Sequence, residues 1–417
     1  MMLPFLPPEI LDLIVDHLHN EPTVLKACCV VSKSWIPRSR RYIFARVKLD
    51  SIRSIESWAK AFPDPFDSPA YYTRNFWVHG LGVVSADVLP WIRSFGQVEE
   101  LTMNMFGSRG VSLTQLHGFT LTLKSLHLTR VCATVSEIIT LICSVPLLED
   151  LSLSSKARDI RADGPWATPL VPPKLTGSLL LHGESRSIAR GLSELLDGPH
   201  FSTIGVRCNA EDIDSETITD LVSKCSESLE TLYLGYYTLS VSFLALQLIN
   251  FLPSRVDLDY VEPPAVDLSN ATKLKHLEFQ WRGPDIQWIT TAIQTAQFKT
   301  LLQITIFMSS IRPISPRRKF LGWHELDHLM VQLWTSHSIL PKILYCNGPQ
   351  ELVASLLPEL TKRGFVHGQE GNHNVWLSLL APPLSLVTPV AARAFDDVNI
   401  GITTMNIEIP FASRSCL

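Results

Sequence analysis

Two short stretches hold residue types that active sites use. Residues 323 to 329 read WHELDHL and contain HExxH. On a helix, His324 and His328 stand one turn apart and can share a zinc ion, with Glu325 as general base. A third ligand is then required, and Glu351 or Glu359 lies within the sequence distance that some zinc hydrolases use. The same residues also make an amphipathic helix, with Trp323, Leu326, Leu329, Met330 and Leu333 in one stripe and the histidines as solvated flanks. No glycine-containing extension follows His328, and the stretch trails a repeat region rather than opening a catalytic domain. A structural helix is therefore expected, with no metal and no cofactor. The second stretch, VHGLGVVSADVL at 78 to 89, reads strand, GxGxxS, helix. Glu99 and Glu100 follow about 20 residues on, which imitates a dinucleotide fingerprint. Ser85 stands where the third glycine belongs, so packing is the expected reason for the glycines.

Other catalytic signatures are missing: there is no GxSxG elbow, no GxxxxGK[ST] loop and no cysteine in a local protease signature. Arg317, Arg318 and Lys319 in RPISPRRKF (312 to 320) are expected on a solvated loop. The eight cysteines form no CxxC pair and lie among apolar neighbours, the pattern of buried thiols in a reducing compartment. The sequon at Asn270 is expected to be idle for the same reason. A net charge of −4 gives no basic surplus for nucleic acid or an anionic membrane. The apolar run at 5 to 18 is punctuated by Glu9, Asp12 and Asp16, unlike a signal peptide. The uncharged run at 374 to 392 is broken by Pro382, Pro383 and Pro389, unlike a spanning helix. The final SRSCL is no prenylation box, because Cys416 is the penultimate residue. The expected location is intracellular, cytoplasmic or nuclear.

What would position any functional side chain is a repeat. VEELTM, LKSLHL and LEDLSL share LxxLxL, and their central Leu101, Leu126 and Leu151 lie 25 residues apart. One step back lands on Phe76. Forward come LTGSLLL near 178, then Ile204, Leu232, a weaker copy at Val256, Leu277 and Ile304. Such a unit is a short strand with alternating faces and a returning segment. Helices are expected at 134 to 145 and 215 to 229. One unit cannot bury its own leucines, so neighbours must stack into a parallel array. The pattern resembles a leucine-rich-repeat solenoid, degenerate because the asparagine or cysteine expected after each strand is usually missing. Asn104 stands one residue out of that place. An ordinary α/β domain of repeated strand-helix units is the alternative. In a solenoid the outward strand positions line a concave face, which nominates Thr102, Asn104, Ser125, His127, Thr129, Thr231, Tyr233, His276, Glu278 and Gln280. Tyr236, Tyr237 and Trp281 are interface-type aromatics, although Trp281 fits equally well between repeats.

The first residues form a separate unit. Pro7 and Pro8 suit a helix start. Ile10, Ile14 and Leu18 then recur at four-residue steps, widened by Leu11 and Val15. Pro22 opens a second helix with Leu25, Cys28 and Cys29, and a third holds Trp35 and leads to Tyr42 and Phe44. Three helices in about 40 residues make a very small core, so a partner protein is expected to cover the surplus apolar surface. Leu6, Pro7 and Glu9, the helix Ile10 to Leu18, and then Val31, Ser32, Lys33, Ser34 and Trp35 resemble the hallmarks of an F-box. Together with the repeats, the chain resembles the expanded F-box family of mushroom-forming fungi.

The resemblance implies an α/β chain in three parts. These are a three-helix F-box at 4–45, a leucine-rich-repeat-like solenoid with a parallel strand array at 46–380, and a tail of uncertain structure at 381–417. It implies a non-catalytic, substrate-recruiting subunit of an SCF-type E3 ubiquitin ligase. Leu6, Pro7, Ile10, Ile14, Leu18 and Leu25 would dock on a Skp-type adaptor and, through it, on a cullin ligase. Val31 and Trp35 would hold the helices together, while Arg38, Arg40 and Arg41 read as a solvated face. The repeats would bind an unidentified protein substrate through Asn104, His127, Thr129, Tyr233, His276, Glu278 and Gln280. A repeat scaffold without a ligase role is the alternative, and a zinc hydrolase using His324 and His328 is the remote third.

Overall fold

The computed structural model describes residues 7–64, 68–79, 94–104, 121–130, 133–155, 160–161, 173–183, 186–195, 198–209, 215–237, 265–282, 286–308, 322–346 and 350–368. Contacts divide the chain into residues 1–368 and 369–417, and all described residues belong to the first unit. Leu6, the GxGxxS stretch, Val256, the loop at 312 to 320, the apolar run at 374 to 392 and the tail at 381–417 lie outside them.

The chain begins with α1 (Pro8–His17), α2 (Pro22–Val31) and α3 (Ile36–Ile43). Each carries proline in its first turn, where the missing N–H costs no hydrogen bond. Strand β1 (Arg46–Leu49) and α4 (Ile52–Ala61) follow. Strands β2 (Asn75–His79), β3 (Glu100–Asn104), β4 (Ser125–Thr129), β5 (Ala133–Thr134), β6 (Asp150–Ser155) and β7 (Ile160–Arg161) come next, with α5 (Val135–Cys143) after β5. Then β8 (Ser178–Gly183), α6 (Arg186–Ser193), β9 (Thr203–Asn209), α7 (Ser215–Lys224), β10 (Thr231–Tyr237), β11 (His276–Arg282), α8 (Gln287–Thr295) and β12 (Gln303–Met308) alternate. The described part closes with α9 (Trp323–His337), β13 (Leu340–Tyr345), α10 (Gln350–Leu356), α11 (Pro358–Lys362) and β14 (Val366–Gly368).

The fold is α/β. Twelve strands form one open sheet in the order β1-β2-β3-β4-β6-β8-β9-β10-β11-β12-β13-β14, so spatial order follows chain order. Every pairing in it is parallel. β5 and β7 pair apart from it. The repeat explains the register: Phe76, Leu101, Leu126, Leu151, Leu179, Ile204, Leu232, Leu277 and Ile304 stand opposite one another, strand after strand. All nine are buried. A second row two residues on, with Val78, Met103, Leu128, Leu153, Leu181, Val206, Leu234, Phe279 and Ile306, is buried with them. Both rows pack in one continuous core with Val135, Ile138 and Ile142 of α5, Ile218 and Leu221 of α7, and Trp288 and Ile289 of α8. Each such side chain contributes about 1.5–3 kcal/mol when buried.

β10 pairs directly with β11 along seven residues. Leu232 and Leu277 are therefore adjacent rungs, and the weaker copy expected at Val256 lies outside the described residues. Tyr236 and Trp281 are core residues rather than surface anchors. Their rings meet Trp288 edge-on at 4.7 and 5.7 Å.

Polar groups tie consecutive turns together where the strands begin. The Arg74 carbonyl accepts the amides of Glu99 and Glu100, and the Glu99 carbonyl accepts those of Lys124 and Ser125. Lys124 serves Glu149 and Asp150, Ser202 serves Glu230 and Thr231, and Glu230 serves Lys275 and His276 in the same way. Just before these points, hydroxyls step from one turn to the last: Thr122 donates to the Val98 carbonyl (2.8 Å), Ser228 to Phe201 (3.2 Å) and Thr300 to Leu274 (3.1 Å). Side chains at the strand entries alternate in charge, with Glu99 near both Arg74 (3.7 Å) and Lys124 (3.2 Å), and Lys275 on Glu230 (2.7 Å).

Candidate functional sites: an apolar helical surface and the polar face of the sheet

The helical unit has a core of a few residues: Val15, Leu25, Cys28 and Ser39 are buried. Its main staple is polar. Arg38 donates from Nε to Asp16 Oδ1 at 2.7 Å and from Nη2 to Oδ2 at 2.5 Å, and the Tyr42 hydroxyl donates to Oδ1 at 2.7 Å. The Arg38 and Tyr42 hydrogen bonds hold the Asp16 carboxyl down to about 2, so it is charged at any physiological pH and pins α1 to α3. Arg38 is thus a structural residue rather than a solvated one. Ser32, where the F-box pattern has cysteine more often, accepts the Ser34 amide at 3.3 Å and starts the turn Lys33–Trp35.

Around this core much of the apolar surface is uncovered. Ile10, Leu13 and Ile14 of α1 are exposed, and their spacing puts them on one stripe. On α2, Val24 is exposed, Val30 is 88% exposed and Val31 is 73% exposed. Pro7 is exposed and Leu18 half-buried. Two expected roles change. Leu25, expected on the docking edge, is inside the bundle, and Val31, expected inside, is at the surface. Trp35 is half-buried. The reason is that α2 is apolar on nearly all sides, so the packing against α1 and α3 decides which side turns in.

The other surface is the face of the sheet opposite the core. Thr102, Asn104, Ser125, His127, Thr129, Thr231, Tyr233, His276, Glu278 and Gln280 all fall on it, because each alternates with a buried residue of its strand. Its two halves differ. Over β2 to β4 it is half-buried and internally bonded: Asn75 donates to Glu100 at 2.6 Å, and Ser125 Oγ meets His127 Nε2 at 3.0 Å. Desolvation lowers the His127 pKa, which leaves the ring neutral near pH 7 and makes its 4.0 Å approach to Glu100 no ion pair. Thr129 donates to the Met103 carbonyl at 3.3 Å. Further along, burial and then Arg207 push the His182 imidazole down to about 4.

Over β10 to β13 the same face is closed in. Glu278, Gln280, Thr305, Phe307 and Leu344 are all buried. Burial pushes the Glu278 carboxyl up to about 7, against the pull of Lys342. Burial, and then Glu278, push the Tyr233 phenol up to about 12. His276 stays exposed at the strand entry.

The HExxH stretch lies on α9 with Trp323, Leu326, Met330 and Leu333 buried, while His324, Glu325 and His328 are exposed. Its buried polar residue is Asp327, whose carboxylate accepts the amides of Glu359 (3.0 Å) and Leu360 (2.9 Å) and so caps α11. No group of three His, Cys, Asp or Glu able to hold a metal occurs among the described residues. The role of Asp327 was not read from sequence, yet a signal existed: position 327 falls on the apolar stripe, where a carboxylate needs buried donors. Asn270 is exposed and donates to Ser223 Oγ at 3.2 Å. Among the described cysteines none is bridged, and no described helix is long and apolar enough to cross a membrane.

Set against models of known protein families, the chain matches none. Set against curated proteins, it has no significant match.

Proposed function

We propose that the chain is a non-catalytic, substrate-recruiting adaptor of an SCF-type ubiquitin ligase. In this reading α1 to α3 are an F-box that docks on a Skp-type adaptor, and through it on a cullin. The strand array is a leucine-rich-repeat-like solenoid that holds a protein substrate. The observation that carries the reading is the apolar stripe Ile10, Leu13 and Ile14, left exposed beside a core too small to cover it, with Val24, Val30 and Val31 exposed on the next helix. A helix face laid into a partner's groove would bury it. No bond is made by the chain itself. A substrate held on the polar face would have its lysines concentrated near a charged conjugating enzyme.

Co-purification of the full chain with a Skp-type adaptor tests this. Capture is expected for the wild type and is lost in Ile10→Asp/Ile14→Asp, since both side chains are exposed and a carboxylate there leaves the bundle core intact. Capture that survives the double substitution overturns the F-box reading. A second reading takes the helices as a cap on the sheet's first edge. It is favoured by the bond from the Thr73 hydroxyl to the Phe44 carbonyl at 3.0 Å and the Ala45 carbonyl accepting Arg74 and Asn75. A folded chain that captures no adaptor at all supports that scaffold.

A further inference from the structure

Glu278 and Gln280 lie two residues apart on β11 and therefore on the same face. Glu278 is 8% exposed and Gln280 6%, so both are more than nine-tenths buried. Gln280 Oε1 has no hydrogen-bond partner among the described residues. The Glu278 carboxyl has neither a hydrogen bond nor an ion pair among the described residues; only desolvation and the field of Lys342 act on it. A buried acceptor without a donor is costly in a folded interior, and the desolvated Glu278 carboxyl beside it adds to that cost.

Their surroundings are suited to a visitor. On one side the register sets Tyr233 beside Glu278 and Gly235 beside Gln280. On the other it sets Thr305 and Phe307. Thr305 is already bonded by Gln303 Nε2 at 2.8 Å. A Cβ on Gly235 would sit 3.5 Å from Arg207 Cγ and from Gln280 Cβ and Oε1, so the glycine leaves a methyl-sized space between the Arg207 stem and the orphan oxygen.

We propose that Glu278 and Gln280, bordered by Tyr233, Phe307 and the Gly235 gap, receive one arginine or lysine side chain of a protein partner. The inference rests on reading the polar face as the substrate surface, and it narrows that substrate to one presenting a basic residue. The charge argument is direct: an unpaired buried carboxyl gains most from a cation that also donates hydrogen bonds. A planar guanidinium has donors enough for both acceptors, and the aromatic neighbours favour a cation over their faces. The Lys342 backbone stands two strands away, roughly 10 Å by strand spacing, and on the other side the Arg207 stem lines the space at Gly235. Among the described residues neither is hydrogen-bonded to Gln280 Oε1, and Lys342 acts on Glu278 through its field alone. Of the titratable groups facing Glu278, Tyr233 comes from β10 and Lys342 from β13, whereas β12 presents only Thr305 and Phe307.

The test is a titration of the full chain at pH 8 with N-acetyl-arginine amide, followed through the backbone amide signals of Gly235 and Gln280. N-acetyl-citrulline amide serves as the neutral isostere. A saturable shift with the arginine compound is expected, with affinity about tenfold lower in Glu278→Gln, which equals 1.4 kcal/mol. Gly235→Leu, which fills the gap and keeps the carboxyl, is expected to lose the response as well. No saturable shift, an equal response to citrulline, or an arginine response unchanged in Glu278→Gln each overturn the proposal. Adaptor capture through α1 reports separately on the proposed function, so a chain that binds arginine and captures no adaptor keeps this site and loses that reading.

Discussion

The helical unit and the sheet handle apolar side chains in opposite ways. Across β2 to β12 the two inward rows are buried almost without remainder, because every strand has a neighbour on each side and helices such as α5, α7 and α8 pack against the rows. In α1 and α2 the counterparts Ile10, Leu13, Val30 and Val31 face outward, because three short helices enclose almost no volume. A stack of like units can be completed by its own next copy, whereas a lone helical unit has no such copy beside it. Within the sheet the contrast returns in polar form, between a bonded half at Asn75, Glu100 and His127 and an unsatisfied half at Glu278 and Gln280.

Three substitutions would break or sharpen these contrasts. Leu126 is fully buried between two neighbouring strands. Leu126→Ala is expected to cost about 4 kcal/mol in urea unfolding, and a loss below about 1 kcal/mol would mean that the sheet core is loosely packed. Glu278→Gln should act in the opposite direction, and with pH. The folded carboxyl is raised from 4.5 to about 7 by burial, so its favourable contribution is complete below pH 4.5 and is lost as pH rises through 7. At pH 8 the glutamine variant is expected to be more stable by on the order of 2–3 kcal/mol, with the difference vanishing near pH 4. Equal stability at both pH values would show that the site is well solvated. Val31→Ser, at an exposed position, is expected to change the free chain by less than about 0.5 kcal/mol. A large loss in the same unfolding assay would place Val31 in the bundle core after all.

The repeat makes the sheet legible in the sequence. Leu101, Leu126 and Leu151 lie opposite one another, and so do the more irregularly spaced Ile204, Leu232 and Ile304 through their neighbours. Alternation fixed the outward positions too, since period two leaves no choice of face once one row is buried. The pattern predicts helices over 134 to 145 and 215 to 229, and the structure shortens them to Val135–Cys143 and Ser215–Lys224. What stayed hidden were choices that periodicity does not encode. In α2 the pattern offers Leu25 and Val31 alike, and only the neighbouring helices select between them. The Asp327 cap and the hydroxyl steps of Thr122, Ser228 and Thr300 depend on contacts between residues 24 to 33 positions apart. In the candidate site, the face was legible but its energetics were not: a glutamate reads the same whether its donors exist or not.

The shared carbonyls at the strand entries give the array a direction. At most strand entries a turn of chain offers one oxygen, and the next turn spends two amides on it, as Glu99 and Glu100 do on Arg74. Removing turns from the C-terminal side uncovers a single acceptor, which water satisfies readily. Removing them from the N-terminal side strands a pair of donors at the lip of the core, where solvent reaches them less well. Shortened versions of the protein should therefore tolerate loss from one end better than from the other, even where both cuts bare the same number of leucines.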